Sequence, residues 1–259
     1  MGELRVDQPA PGVRRLTIDR PEVRNAISLP LQRELDRVLA SVAGDDTVRS
    51  VIVAGAGPVA FSAGYDLAEL AEWTTDEVAD AAAERDELIW RFVTFPKPVV
   101  AAVHGAAHGA GTILAACADI RVGGPHTRFT VTAARYGGAN LTWLLDELIG
   151  AGLTRDLLMT SRTIDGDEAH RIGLLSRLAD DGDVEAAALR AAIELAGQPP
   201  EALREIKALL LAGPGRSLRS RYDRENEIAR TLLRPRPISD VFADFFDRDR
   251  ARAETTSTP

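Results

Sequence analysis

The chain has 259 residues, 45% hydrophobic and 27% charged, a composition typical of a soluble globular protein large enough to bury a real core. Its formal net charge of −8 argues against a nucleic-acid surface, which needs a basic face. The single cysteine, Cys117, lies in an apolar run and excludes any disulfide within the chain.

Residues 13–18 alternate as a strand does, and residues 19–22 (Asp-Arg-Pro-Glu) form a turn. From 28 to 42, Leu29, Leu31, Leu35, Val38 and Leu39 share a helical face, with Ser28 placed to cap the helix. Residues 48–54 read as a β-branched strand, followed by Gly55-Ala-Gly-Pro58. The acidic, Ala-rich stretch 69–93 reads as helix, and Pro96 and Pro98 end it before a strand at 99–103. Gly109-Ala-Gly111 opens a helix over 112–117. Strands are expected at 120–122 and 128–131, and helices at 144–149 and 154–160. The alternation predicts an α/β core over residues 1–183. Beyond it the pattern is helical only, at 184–197, 200–212, 216–232 and 237–251, so residues 184–253 read as a packing or oligomerisation region. The polar residues 254–259 are expected to be disordered.

Two segments point to chemistry. Phe61-Ser-Ala-Gly-Tyr-Asp66 and the run from Lys97 to Gly111 each lead an apolar strand through a small-residue turn into a helix. Such turns leave backbone N–H groups unpaired, and one from each turn could hold a developing oxyanion.

These segments resemble the crotonase (enoyl-CoA hydratase/isomerase) superfamily along nearly the whole chain. Residues 16–26 are similar to its opening strand and adenine-contacting turn, 61–67 and 97–119 to its two oxyanion segments, and 158–174 to the helix–turn–helix that follows. The resemblance implies a spiral of ββα units, a helical C-terminal trimerisation region, and assembly to a homotrimer or hexamer. It also implies an acyl-CoA ligand, with coenzyme A arriving as part of the substrate and no permanently bound cofactor. By position the oxyanion donors are the N–H groups of Tyr65 and Ala110. The residues implied around CoA are Arg24, Asn25, Ala26, Ala63, Asp66, Leu67, Lys97 and Gly109. Arg24, Asn25 and Lys97 are the expected phosphate or ribose contacts, and Asp66 equally suits a helix cap.

The hydratases of the family use two glutamates, and the matching positions here are Ile113 and Ala133. Neither exchanges a proton, so hydration is expected to be absent or weak. Three readings stay open. Asn140-Leu141 is similar to the methylmalonyl-CoA decarboxylase branch, in which loss of CO₂ makes the enolate without a base. Alternatively another side chain moves the proton, with His108, Tyr65, Tyr136, Asp146 and Glu147 as candidates. Of Asp146 and Glu147, Asp146 is expected to face inward. Or the protein binds acyl-CoA without turnover. Tyr136 and Trp143 are expected in the pocket wall or core. His104, His126 and His170 read as structural or exposed, and no histidine has metal-ligand spacing, so no metal is expected. No apolar run approaches the ~20 residues of a membrane span, and the N-terminus lacks a leader pattern, so a cytoplasmic location is expected.

Overall fold

A computed structural model of the chain describes residues 2–179, 183–233 and 237. Residues 1–211 form one compact unit and 212–259 a second.

The first unit opens with a hairpin, β1 (Leu4–Ala10) against β2 (Val13–Ile18), turning at Gly12 with φ 75°. Helix α1 (Leu29–Ala43) follows, and the Ser28 hydroxyl accepts from Leu31 N at 3.2 Å as its cap. Next come β3 (Ser50–Gly55), β4 (Ala60–Ser62), α2 (Leu67–Ala71), α3 (Thr75–Val93), β5 (Val99–Val103), β6 (Ala106–His108) and α4 (Ala110–Ala116). They are followed by β7 (Ile120–Gly123), β8 (Arg128–Thr130), α5 (Leu145–Ile149), α6 (Ala151–Thr160), β9 (Ile164–Asp165), α7 (Gly166–Arg171), β10 (Arg177–Leu178), α8 (Val184–Ala196) and α9 (Pro200–Leu211).

The strands sort into two sheets, six-stranded β1-β2-β3-β5-β7-β10 and four-stranded β4-β6-β8-β9. Each successive pair (β3 and β4, β5 and β6, β7 and β8) sends one strand to each sheet, the winding expected of a ββα spiral. β3, β5 and β7 are parallel, and every residue of β3 and β5 is buried, as a sheet covered on both faces requires.

On one side, residues of the large sheet share a core cluster with residues of α1, α3 and α4, and α4 contacts β4 and β6 of the small sheet. The other side of the large sheet is covered by α8, whose Val184, Ala187, Ala188, Ala191 and Ala192 lie at helical spacing over Ile52, Ala54, Val100 and Ala102. Ser50 Oγ donates to Ala192 O at 2.8 Å, a contact made possible by the small alanines. Helix α8 is therefore a layer of the core, and the unit runs to Leu211 past the boundary expected at residue 183.

The expected single helix 69–93 is two helices. Thr74 and Glu77 form a reciprocal capping box that starts α3 afresh after Trp73. Cys117 is a buried thiol, pushed by burial up to about 12, and is inert as expected.

In the second unit, α10 (Leu218–Thr231) is capped by Ser217 and laced by the ion pairs Arg219–Asp223 and Arg224–Glu227. The helix expected at 237–251 and the tail at 254–259 lie outside the described residues.

Where β4 and α4 touch, Gly111 leaves no room for a side chain, since a Cβ there would sit 2.4 Å from Ser62 O. Gly111→Ala is expected to cost about 2 kcal/mol through overpacking. An unchanged urea midpoint would show that the two elements separate freely.

Candidate active site

Tyr65 lies in the turn between β4 and α2. Ile27 N donates to Gly64 O at 2.7 Å, and Asp66 N donates to Ile27 O at 3.1 Å. Both bonds belong to the residues flanking Tyr65, so its own N–H faces the opposite side of this parallel bridge. Ala110 is the first residue of α4, a position whose N–H has no partner within the helix.

Gly109 before it adopts φ 51° and ψ −117°, a combination that suits glycine, and thereby sets the peptide plane that carries the Ala110 N–H. The two turns meet closely. A Cβ on Gly64 (φ 101°) would lie 2.8 Å from His108 O and 3.3 Å from Ala110 N. Among the described residues, no backbone acceptor takes either the Tyr65 or the Ala110 N–H.

A cavity of about 320 Å³ opens beside Tyr65, walled by Ile89 and Trp90 of α3, Ile113 of α4, and Leu141 and Trp143. The Trp90 and Trp143 rings meet edge to face with centroids 6.2 Å apart. Leu141 is fully buried at a left-handed φ of 59°, held there because Leu144 N and Leu145 N both donate to its carbonyl. Asp86 borders the same cavity, one helical turn before Ile89 and Trp90.

A second cavity, of about 380 Å³, shares the wall formed by Ala139, Asn140 and Thr142 and is lined by Ala133, Asp146 and Thr154. The buried Thr154 hydroxyl has no partner among the described residues. Tyr65 and Ala110 also border an apolar crevice of only about 20 Å³, room for a single water. The 320 Å³ cavity is thus the one beside the turns with space for an acyl group. Ile113 lies in it and Ala133 in the other, so these two positions face different cavities.

The Tyr65 ring lies under the Arg85 guanidinium, 3.9 Å from its carbon. Burial pushes the phenol above its ordinary value, with the Arg85 charge opposing, so it is a neutral hydrogen-bond donor and not a base. Arg85 is itself buried, bonds Glu69 Oε2 at 2.9 Å, and leaves its Nε without a partner among the described residues.

His108 is half-buried in β6 and lines none of these cavities. Burial, then the charges of Arg24 and Arg135, hold its imidazole below the usual 6.5. An NMR titration is expected to show His108 protonating below 6.5 in the folded protein. The unfolded chain then binds that proton more readily, so the histidine lowers stability as pH falls through 6.5. A midpoint at or above 6.5 would overturn this.

Other expected site residues fall into place differently. Asn25 is fully buried, its Nδ2 donating to Ala56 O and Ala60 O and its Oδ1 accepting from Arg20 N, so it ties the turn together and does not face a ligand. Ala26 is buried, and its carbonyl accepts from Arg20 Nη1. Lys97 Nζ donates to Val42 O and Asp45 O, both at 2.7 Å, and so closes the C-terminal end of α1.

Asp66 caps α2 and pairs with Arg20 at 2.9 Å. Burial pushes its carboxyl up, but Arg20 and the capping N–H groups outweigh this and hold it low. Arg24, Ala63 and Leu67 are exposed, Arg24 with a left-handed φ of 55° and its carbonyl accepting from Ala63 N. Asp146 and Glu147 are both exposed, and Asp146 borders the second cavity instead of facing Tyr65. Tyr136 is 82% exposed, neither core nor pocket wall, because the 3-10 turn at Ala133–Tyr136 turns it outward. Trp143 does line the pocket.

The sequence profile of the enoyl-CoA hydratase/isomerase family matches residues 9–234. The chain belongs to the enoyl-CoA hydratase/isomerase family. It is 32% identical over 201 residues to a short-chain-enoyl-CoA hydratase of Clostridium acetobutylicum, covering 76% of this chain and 77% of that one. It is 31% identical over 226 residues to the 1,2-epoxyphenylacetyl-CoA isomerase of Escherichia coli, covering 85% and 86%. The crystal structure of an enoyl-CoA hydratase from Bacillus anthracis superposes with a TM-score of 0.90 at 28% identity, covering 95% of this chain and 97% of that one.

For this member of the enoyl-CoA hydratase/isomerase family, sequence reasoning missed Asp86, Trp90 and Arg85. The one available signal was the spacing of Asp86, Ile89 and Trp90 on one helical face. Among the described residues, no group of three or more His, Cys, Asp or Glu could hold a metal ion, and no helix is long and apolar enough to cross a membrane.

Proposed function

We propose that this protein binds an acyl-CoA thioester with its carbonyl oxygen between the N–H groups of Tyr65 and Ala110, and that this hole stabilises the thioester enolate. The observation that carries the reading is the juxtaposition, through Gly64 and Gly109, of two N–H groups with no backbone acceptor among the described residues, next to a cavity of about 320 Å³ lined by Tyr65. One such donor contributes about 3–4 kcal/mol of transition-state stabilisation. CoA enters as part of the substrate, and the exposed Arg24 guanidinium is positioned for its phosphates.

Hydration of a conjugated double bond is absent or weak, because Ile113 and Ala133 stand where two proton-exchanging groups are needed. Decarboxylation is the less favoured use of the hole. The cavity lining contains a carboxylate and no cation, so a second carboxylate on the substrate would meet like charge.

The exposed Ile206 and Leu210 of α9 support self-association to a trimer or hexamer, which light scattering would read directly. The functional test pairs crotonyl-CoA hydration with a CoA-thioester binding titration. Binding without rapid hydration is expected. Rapid hydration would overturn the assignment of Ile113 and Ala133, and failure to bind any acyl-CoA would overturn the pocket.

A further inference from the structure

Around residue 86 on α3, Glu84 pairs with Arg33, Arg85 with Glu69, and Arg91 with Asp36, while the adjacent Glu87 is outside the cavity lining. Asp86 is different. No hydrogen bond or ion pair holds its carboxylate among the described residues, and it shares the helical face of Ile89 and Trp90. It is the sole carboxylate among the residues lining the 320 Å³ cavity, whose wall also includes Tyr65 and Ile113. Its negative charge also adds to the upward push on the Tyr65 phenol, which places the two groups near one another.

Aspartate is a competent proton acceptor, whereas the neighbouring lining offers a neutral phenol, an amide, a hydroxyl, two indoles that only donate, and hydrocarbon. Asp86 is also exposed, so a proton it has accepted can exchange with water. These properties are what a proton-transfer group needs, and they come from a different helix than the positions carrying Ile113 and Ala133.

We infer that Asp86 is the proton carrier of this site, a catalytic carboxylate that shifts a proton along an unsaturated acyl thioester. The inference rests on the thioester oxygen lying between the N–H groups of Tyr65 and Ala110. With a β,γ-unsaturated acyl group, the Asp86 carboxylate takes a proton from the α-carbon. An O–H bond forms, the C–H pair becomes the enolate double bond, and the carbonyl π pair moves onto the oxygen held by the two N–H groups. The enolate then collapses, the double bond moves into conjugation, and the γ-carbon takes the proton back from the Asp86 carboxylic acid. Proton and charge balance, and no co-reactant is required. The same first half-step on a saturated acyl group exchanges α-hydrogens with solvent.

The experiment is α-hydrogen exchange in D₂O, followed by NMR, with butyryl-, hexanoyl- and phenylacetyl-CoA on the full-length protein. Wild type, Asp86→Asn, Asp86→Glu and the neighbouring surface control Glu87→Gln are compared, each with a parallel binding titration. The expected result is exchange by wild type and Glu87→Gln, a loss of about 10²–10⁴-fold in Asp86→Asn, partial recovery in Asp86→Glu, and unchanged affinity throughout. Exchange by Asp86→Asn at the wild-type rate would overturn the role of Asp86 and leave the oxyanion hole standing. Binding without exchange by wild type, for every thioester, would overturn both the enolate reading and the inference built on it.

Discussion

Replacing Ala110 with proline is expected to lower α-hydrogen exchange on a bound acyl-CoA by about 10²–10³-fold while the protein stays folded. The substitution removes the backbone N–H itself, which side-chain changes at this position do not. The backbone here also suits proline. Ala110 is the first residue of α4, where proline's fixed φ suits the helix and its missing N–H breaks no helical bond. Gly109, at ψ −117°, lies far from the α region that a following proline disfavours. Ala110→Gly keeps the donor and is the matched control. If Ala110→Pro exchanges at the wild-type rate, this N–H does not hold the oxyanion. If both variants are inactive, the turn has moved and the donor is not what the experiment reads. A circular dichroism melt within a few degrees of wild type makes the comparison valid.

Local chemistry explains which parts of this fold are legible in the chain. The strand at Val13–Ile18 and the helix from Leu29 follow from alternation, helical spacing and a Ser cap, all of which act within a few residues. The two small-residue turns are legible as strand–turn–helix patterns, the family resemblance singles out Tyr65 and Ala110 within them, and the structure brings those turns together. The strand Leu4–Ala10 escapes notice because Gln8-Pro9-Ala10 breaks its alternation, and Ala106–His108 because three residues carry no period. The restart of the helix at Thr74 does have a signal, Thr74 followed by Glu77, that a composition-led reading of residues 69–93 passes over.

The site residues that go astray are those decided by distant partners. Lys97 resembles a free cation, yet its ammonium meets Val42 O across 55 positions of sequence. Asn25 resembles a ligand contact, yet it bonds Ala60 O across 35 positions. Asp146 and Asp86 are both carboxylates on short apolar helical faces, and only the tertiary fold selects which one borders the cavity beside Tyr65. A charge on an Ala-rich acidic helix reads as solvated, and for Arg85 that default fails.

Removing Arg85 is expected to cost about 3 kcal/mol of stability. Arg85 is 3% exposed and joins three helices: Nη2 meets Glu69 Oε2 at 2.9 Å, and Nη1 reaches Ile27 O and Gln32 Oε1 at 3.4 Å. Glu69 in turn accepts from Leu29 N at 3.0 Å, so the start of α1, helix α2 and helix α3 are bound through one guanidinium. Arg85→Ala leaves Glu69 short of a partner, opens a space over the Tyr65 ring, and loses the packing of the side-chain stem. Lysine does not substitute well, since a point charge lacks the planar fork that reaches several acceptors while its carbon sits 3.9 Å from the Tyr65 ring centre. Urea unfolding should therefore show Arg85→Lys recovering only part of the loss, and the conformation of Tyr65 should loosen with it. The same arginine holds this corner together and packs on Tyr65, whose N–H is the proposed oxyanion donor. A variant with wild-type stability would show that Glu69 and the helix ends hold the corner without it.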